Sequence, residues 1–145
     1  MKALLKLILL FVLISCCKSK DPKPQEHLKS YDNALAATWK LDSVTSNSGM
    51  VTTNPSDKEI FTIFQTDTNK LSFENGGSSG VGNYKLSTEK GINIIIQRGD
   101  FGGWPNGPWL DSYSANINKA SSYTVSASKL RIVTSELNTL FFTKQ

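Results

Sequence analysis

The sequence predicts a mainly β (α+β) domain, in which an antiparallel meander curls into a small barrel-like sheet and one helix packs against it. Within residues 35–145, short runs of alternating, β-branched and aromatic residues follow one another closely. Turn residues such as Asn75-Gly76-Gly77 and Lys90-Gly91 separate several of these runs, and a single segment has helical spacing instead. At about 110 residues, the region has room for one hydrophobic core and is too short for two.

The predicted strands follow in order along the chain. Residues 39–44 begin with period-two alternation, and residues 59–64 are rich in side chains that suit a pleated sheet. The later strands are predicted at 70–73, 81–86, 92–97, 123–125, 129–133 and 139–143. The apolar residues expected to share the inner face of the sheet are Leu71/Phe73, Tyr84/Leu86, Ile92/Ile94/Ile96, Leu130/Ile132 and Leu140/Phe142.

One segment carries the predicted helix. Leu110, Tyr113 and Ile117 recur at helical spacing, and Gly107-Pro108 precedes them, where proline suits a first helical turn. The Ser and Asn content of the segment makes it a poor helix by propensity alone. We therefore expect its apolar stripe to hold it against the sheet, at an open end of the barrel.

The chain begins with a leader that predicts where the protein resides. Lys2 and Lys6 precede an apolar segment at 7–14, which is too short to span a bilayer. The run Leu13-Ile14-Ser15-Cys16 resembles a bacterial lipoprotein processing site. That resemblance implies a signal peptide at 1–15 and a cysteine, Cys16, that carries acyl chains such as palmitate. The alternative is an ordinary secretory leader with incidental cysteines.

A polar, proline-punctuated tether is predicted at 16–34, followed by the β domain at 35–145. Lipid at Cys16 would anchor the protein to a membrane of the cell envelope. The residue after Cys16 is not aspartate. In enteric bacteria, the absence of aspartate at this position favours the outer membrane. Removal of Lys2 and Lys6 with the leader would lower the formal charge from +4 to +2, and the domain has no Lys/Arg cluster, so no nucleic-acid partner is expected.

Several ordered motifs resemble one known family. They are Ala37-Thr38-Trp39-Lys40-Leu41-Asp42-Ser43-Val44, Leu71-Ser72-Phe73, Ser79-Gly80-Val81-Gly82-Asn83-Tyr84, Ala120-Ser121-Ser122-Tyr123-Thr124-Val125, Lys129-Leu130-Arg131-Ile132 and Leu140-Phe141-Phe142. Together they resemble the META domain of HslJ-like envelope lipoproteins. The resemblance implies a compact antiparallel β fold with a helix, in outer-membrane or periplasmic proteins, some of them linked to heat-shock induction and antibiotic tolerance. A lipocalin-like lipoprotein domain is the runner-up, since it also begins with a Trp-containing strand and uses a meander.

The chain departs from the META pattern at two places. Many family members have Gly-Cys-Asn where this chain has Val81-Gly82-Asn83, and a second cysteine where this chain has an aromatic loop at 99–109. No cysteine pair is left, so a redox role cannot be carried over from the family.

The domain lacks the residues of the commonest catalytic and metal sites. Its sole histidine, His27, lies in the predicted tether, and Cys16 and Cys17 precede the domain. Ser-His-Asp and Cys-His systems and the usual zinc sites are therefore excluded. The carboxylates show no pairing in the sequence, so we expect no enzymatic activity, no metal and no cofactor.

The aromatic loop supplies the candidate recognition residues Phe101, Trp104 and Trp109. Tryptophans presented by glycines and prolines offer a large contact area, although the favoured alternative is that Trp104 and Trp109 fold inward and close the barrel end.

We expect a non-enzymatic envelope lipoprotein that acts in envelope integrity or stress tolerance through contacts with another envelope protein. The alternative is a lipocalin-like module that encloses a small apolar ligand. A packed interior is the stronger expectation because large aromatic residues are available to fill it. They are Phe61, Phe64, Phe73, Tyr84, Phe141 and Phe142.

Overall fold

A computed structural model of the chain describes residues 32–53, 55, 58–75, 78–100 and 108–145. Within these residues the secondary structure is mostly β. The elements are β1 (Thr38–Thr45), β2 (Val51–Thr53), β3 (Phe61–Gln65), β4 (Lys70–Asn75), β5 (Ser78–Leu86), β6 (Ile92–Asp100), α1 (Pro108–Ile117), β7 (Ala120–Val125), β8 (Lys129–Thr134) and β9 (Thr139–Lys144). Two 3₁₀ turns, Asn33–Leu35 and Thr88–Lys90, precede β1 and β6.

The strands form one antiparallel sheet in the order β6-β5-β4-β3-β1-β9-β8-β7, with β2 paired to β1 alone. The first long strand therefore pairs with the last, and the two free ends of the path are β6 and β7. A single bridge between Gly91 and Ser122 joins these two edges. The result is a nearly closed barrel with one helix packed against it, so the predicted fold class is confirmed.

The core lies inside this curled sheet. The predicted inner faces are confirmed, since their residues are buried, apart from Ile96, which is half-buried. Two of the six aromatics expected to fill the interior do not: Phe61 is half-buried and Phe141 is 38% exposed. Alternation explains both, because Thr62 and Leu140 occupy the inward positions beside them.

The strand limits differ from the prediction at several places, and β5, β6 and β7 are each three residues longer than predicted. The short strand β2 was not predicted, because its three largely exposed residues carry no pattern of their own and pair only with β1. The strand β3 begins at Phe61, and the preceding Ile60 is buried with its carbonyl accepting the amide of Leu41 at 2.9 Å. The helix begins at Pro108 and buries the predicted stripe.

The barrel has a helix end and an opposite, N-terminal end. At the helix end, where β6 finishes and β7 begins, α1 packs onto the strands. At the N-terminal end, the turn Asn33–Leu35 precedes β1, and Leu35 is fully buried. Residues 32–34, which the sequence pattern assigned to the tether, belong to the described structure and contact the domain through Asp32.

A β-bulge lies where β5 meets β6, with Gln97 of β6 as the extra residue. The register between β5 and β6 shifts between Val81 and Gly82. A Cβ atom at Gly82 would lie 2.5 Å from the backbone oxygen of Ile95, closer than real Cβ contacts allow. A cysteine at this position would therefore require the backbone to move.

Candidate functional site at the helix end

The aromatic loop leads into α1, and the structure describes only the last of its three candidate residues. Trp109 lies in the first turn of α1 and is 3% exposed. It precedes Tyr113 by one helical turn, so both side chains face the core. Trp109 therefore folds inward, as the favoured alternative expects. Phe101 and Trp104 lie outside the described residues.

Tyr113 fixes the helix to the barrel. Its hydroxyl is 2.9 Å from the hydroxyl of Thr62 on β3, and its ring packs against Phe73 on β4 with 5.5 Å between the centroids. Complete burial raises the pKa of Tyr113 far above its ordinary value. The phenol therefore stays protonated and acts as a hydrogen-bonded anchor.

Amide side chains fix the other end of the helix. The carboxamide oxygen of Asn116 accepts from Asn138 Nδ2 at 2.7 Å, which ties α1 to the turn between β8 and β9. Asn118, just after the helix, accepts the backbone amide of Ile96 at 2.9 Å. Local sequence gives no sign of these pairs, because each partner is 22 positions away.

A cavity of about 340 Å³ lies between α1 and β6. Phe73, Ile96, Tyr113 and Ile117 supply most of its apolar lining, and Asn118 is among its polar residues. This volume is at the lower end of the range for small-molecule pockets, roughly 300–1,000 Å³. The site could hold a small apolar group with one polar end.

Side chains fill the interior of the barrel. Trp39, Phe73, Tyr84, Tyr113 and Phe142 are among its largest fully buried residues. The indole nitrogen of Trp39 donates to the carbonyl of Leu35 at 2.9 Å, and burial raises the pKa of Tyr84 to about 12. These residues give the described part of the domain a packed core.

Exposed apolar side chains mark the rim of the helix end. Met50, just before β2, is 68% exposed, and Val51, the first residue of β2, is 56% exposed. Leu137, in the turn between β8 and β9, is 71% exposed. The amide of Asn47 donates to Asn138 Oδ1 at 2.8 Å and holds the two turns together. Leu137 also has a φ of 65°, a left-handed conformation that side-chain-bearing residues seldom adopt. We call Met50, Val51 and Leu137 the apolar rim.

The charged groups of the described residues form scattered ion pairs. The pairs are Lys40–Glu59, Lys90–Asp32, Lys119–Glu136 and Lys129–Asp42. Within the same part of the chain, no group of three or more His, Cys, Asp and Glu residues could hold a metal ion. Likewise, no described helix has the length and apolar character needed to cross a membrane. The predicted lipidation residue Cys16 lies outside the described residues.

Comparisons with known proteins show likeness at the level of structure. No protein-family model and no curated protein matches the chain. The crystal structure of a DUF4847 family protein from Bacteroides vulgatus ATCC 8482 matches with a TM-score of 0.56 and 13% identity, covering 77% of this chain and 96% of that one. An NMR structure of a protein from Burkholderia xenovorans matches with a TM-score of 0.58 and 16% identity, covering 79% of this chain and 89% of that one. At these identities the likeness shows that the chain shares their fold.

Proposed function

We propose that this protein is a lipoprotein of the cell envelope, anchored through lipid at Cys16, whose domain acts in envelope integrity or stress tolerance through contacts with another envelope protein. The observation that favours a contact role is the packed interior combined with the apolar rim. A barrel filled by Trp39, Tyr84 and Phe142 leaves its outer surface to carry recognition. The proposal includes no enzymatic step. The resemblance to META domains, with lipocalins as runner-up, stays a prediction from the sequence.

The placement of the rim suits this role. The N-terminal segment joins the domain at Asp32, and the apolar rim lies at the other end of the barrel. A strand as long as the nine-residue β5 spans about 30 Å. A domain anchored through Cys16 on the outer membrane would then present Met50, Val51 and Leu137 away from the lipid surface.

Replacement of the anchor tests the first half of the proposal. Cys16→Ala is expected to release the protein from the membrane fraction and to abolish palmitate labelling, because the acyl chains provide the membrane affinity. Cys17→Ala is the matched control and should change neither result. Full membrane association of Cys16→Ala would contradict the lipid anchor.

Substitution in the apolar rim tests the second half. Leu137→Asn removes the apolar side chain and introduces a residue type that tolerates the positive φ at this position. We expect it to reduce cross-linking to envelope proteins and to weaken stress tolerance in cells that depend on this protein. Ile95→Thr, on the outer face of β6 and 56% exposed in the native protein, is the control. Equal effects of the two substitutions, or none, would contradict a role for the rim.

The cavity beside α1 supports the alternative function, a module for a small apolar ligand. Native mass spectrometry of the whole protein would detect a bound species that is lost on denaturation. Ile117→Ala, which enlarges the cavity, should then alter its retention. A bare mass that added fatty acids leave unchanged would favour protein contacts as the sole role.

A further inference from the structure

We propose that Asp32 acts as a latch: it holds together the two facing strand edges of the barrel, at the point where the N-terminal segment joins the domain. The seam is the pair of facing edges of β6 and β7. The latch itself rests on the structure, and its coupling to a membrane anchor rests on the proposed function.

The seam is the weakest line in the sheet. Neighbouring strands elsewhere on the path pair over at least three successive positions, whereas β6 and β7 share the single bridge between Gly91 and Ser122 within the described residues. Towards the helix end, the amide of Ile96 binds the side chain of Asn118 instead of a strand. Side chains therefore replace backbone pairing along this line.

One carboxylate oxygen joins the two sides of the seam. Oδ2 of Asp32 accepts from Lys90 Nζ at 2.7 Å and from Tyr123 Oη at 2.8 Å. Lys90 directly precedes Gly91, and Tyr123 directly follows Ser122, so this contact reinforces the only bridge described across the seam. The Asp32 side chain is 11% exposed, and the Lys90 ammonium lies 5.3 Å from the centre of the Tyr123 ring.

The turn that presents Lys90 is held in an unfavourable conformation. Glu89 and Lys90 have φ angles of 63° and 64°, so two consecutive residues with side chains occupy the left-handed region. The ion pair with Asp32 offsets part of this cost, because it keeps Lys90 on the seam. Loss of the carboxylate would leave the turn free to relax away from β7.

Asp32 also belongs to the N-terminal segment. Its Oδ1 accepts the amide of Ala34 at 3.0 Å and caps the turn Asn33–Leu35. A displacement of the chain before Asp32 would therefore move the carboxylate away from Lys90 and Tyr123. Separation of the strands would widen the groove of about 450 Å³ that Ser87, Ile92 and Ser121 help to line, and would expose the edge of β6.

Hydrogen–deuterium exchange of the full chain tests the latch. Asp32→Asn is expected to speed exchange of the amides at 92–96 and 120–123 about tenfold, and Tyr123→Phe to speed the same amides less, because it leaves the ion pair in place. Asp42→Asn is the matched control. The Asp42 carboxylate also binds a hydroxyl and a lysine, Thr143 at 2.6 Å and Lys129 at 3.4 Å, but between strands that are already paired.

The outcomes separate clearly. Faster exchange confined to the seam in Asp32→Asn and Tyr123→Phe, with the seam unchanged in Asp42→Asn, supports the latch. Uniformly faster exchange across the barrel, an equal seam effect of Asp42→Asn, or no seam effect would overturn it. If Asp32→Asn does not fold, Tyr123→Phe alone decides. Repeating the comparison in Cys16→Ala distinguishes the two proposals, because failure of the anchor appears in membrane fractionation and failure of the latch in exchange.

Discussion

The barrel closes in two different ways at its two junctions of distant strands. At the wall, the junction of β1 with β9, backbone pairs run from Trp39 and Lys144 to Thr45 and Thr139, interrupted by a bulge at Asp42. At the seam, β6 and β7 share one bridge, and Asp32 joins the two sides. Both junctions carry an acid, a lysine and a hydroxyl, yet only at the seam do these groups substitute for the backbone ladder. The same chemistry is therefore accessory in one place and structural in the other.

The largest expected effect comes from breaking the core beneath the wall. Phe142 is fully buried and pairs with Leu41 across the junction, so Phe142→Ala should lower the free energy of unfolding by about 3–5 kcal/mol. Chemical denaturation measures this loss. Phe141→Ala, one residue away on the outer face, is the control and should lower it by about 1 kcal/mol or less. Similar losses for both would mean that the inward and outward faces of β9 are assigned incorrectly.

A smaller loss is expected near the seam, at Gly82 of β5, which lies beside the bulge in β6. Gly82→Ala places a Cβ against the backbone oxygen of Ile95 and should lower the unfolding free energy by roughly 2–3 kcal/mol, because β6 must shift. Val81→Ala, on the exposed neighbour, should be nearly neutral. Denaturation curves for the two variants compare a site that requires glycine with one that does not, and a neutral Gly82→Ala would contradict the close approach.

The two acids give the sharpest contrast between wall and seam. Asp32→Asn is expected to lower the unfolding free energy by about 1–2 kcal/mol, because it weakens two hydrogen bonds of a largely buried carboxylate. Asp42→Asn should lower it by about 0.5 kcal/mol or less, since that side chain is 33% exposed and its strands are already paired. Thermal denaturation of the two variants measures both losses. A larger loss for Asp42→Asn than for Asp32→Asn would refute the contrast.

The smallest effect concerns pH. Lys90, and to a lesser degree Tyr123, hold the pKa of Asp32 below its usual value of 3.8 in the folded protein. Stability from this group is therefore present above that value and is lost as the pH falls through the folded pKa. The difference in unfolding free energy between the native protein and Asp32→Asn should shrink as the pH is lowered from about pH 7 to about pH 3. A difference that stays constant with pH would show that the charge of Asp32 contributes nothing.

Most of the fold could be predicted because alternation is local. Leu71 and Phe73, or Ile92 and Ile94, show their common face within a few positions of sequence. Thr62 could not be recognised in this way, because a threonine enters the core only where Tyr113, 51 positions later, offers a hydroxyl. For Trp109, the sequence favours inward closure over recognition but cannot decide between them, because its burial depends on the face that α1 turns to the barrel.

By itself, the sequence determined a mainly β fold with a helix after β6 and the inward faces of five strands, β4, β5, β6, β8 and β9, since side-chain direction follows from residue spacing. Only the tertiary structure decided which strand edges meet and which are left open. Asp32 finds its partners 58 and 91 positions away, a pairing that no local pattern encodes. It arises because the curl of the sheet brings β1 against β9 and leaves β6 and β7 facing each other across the seam.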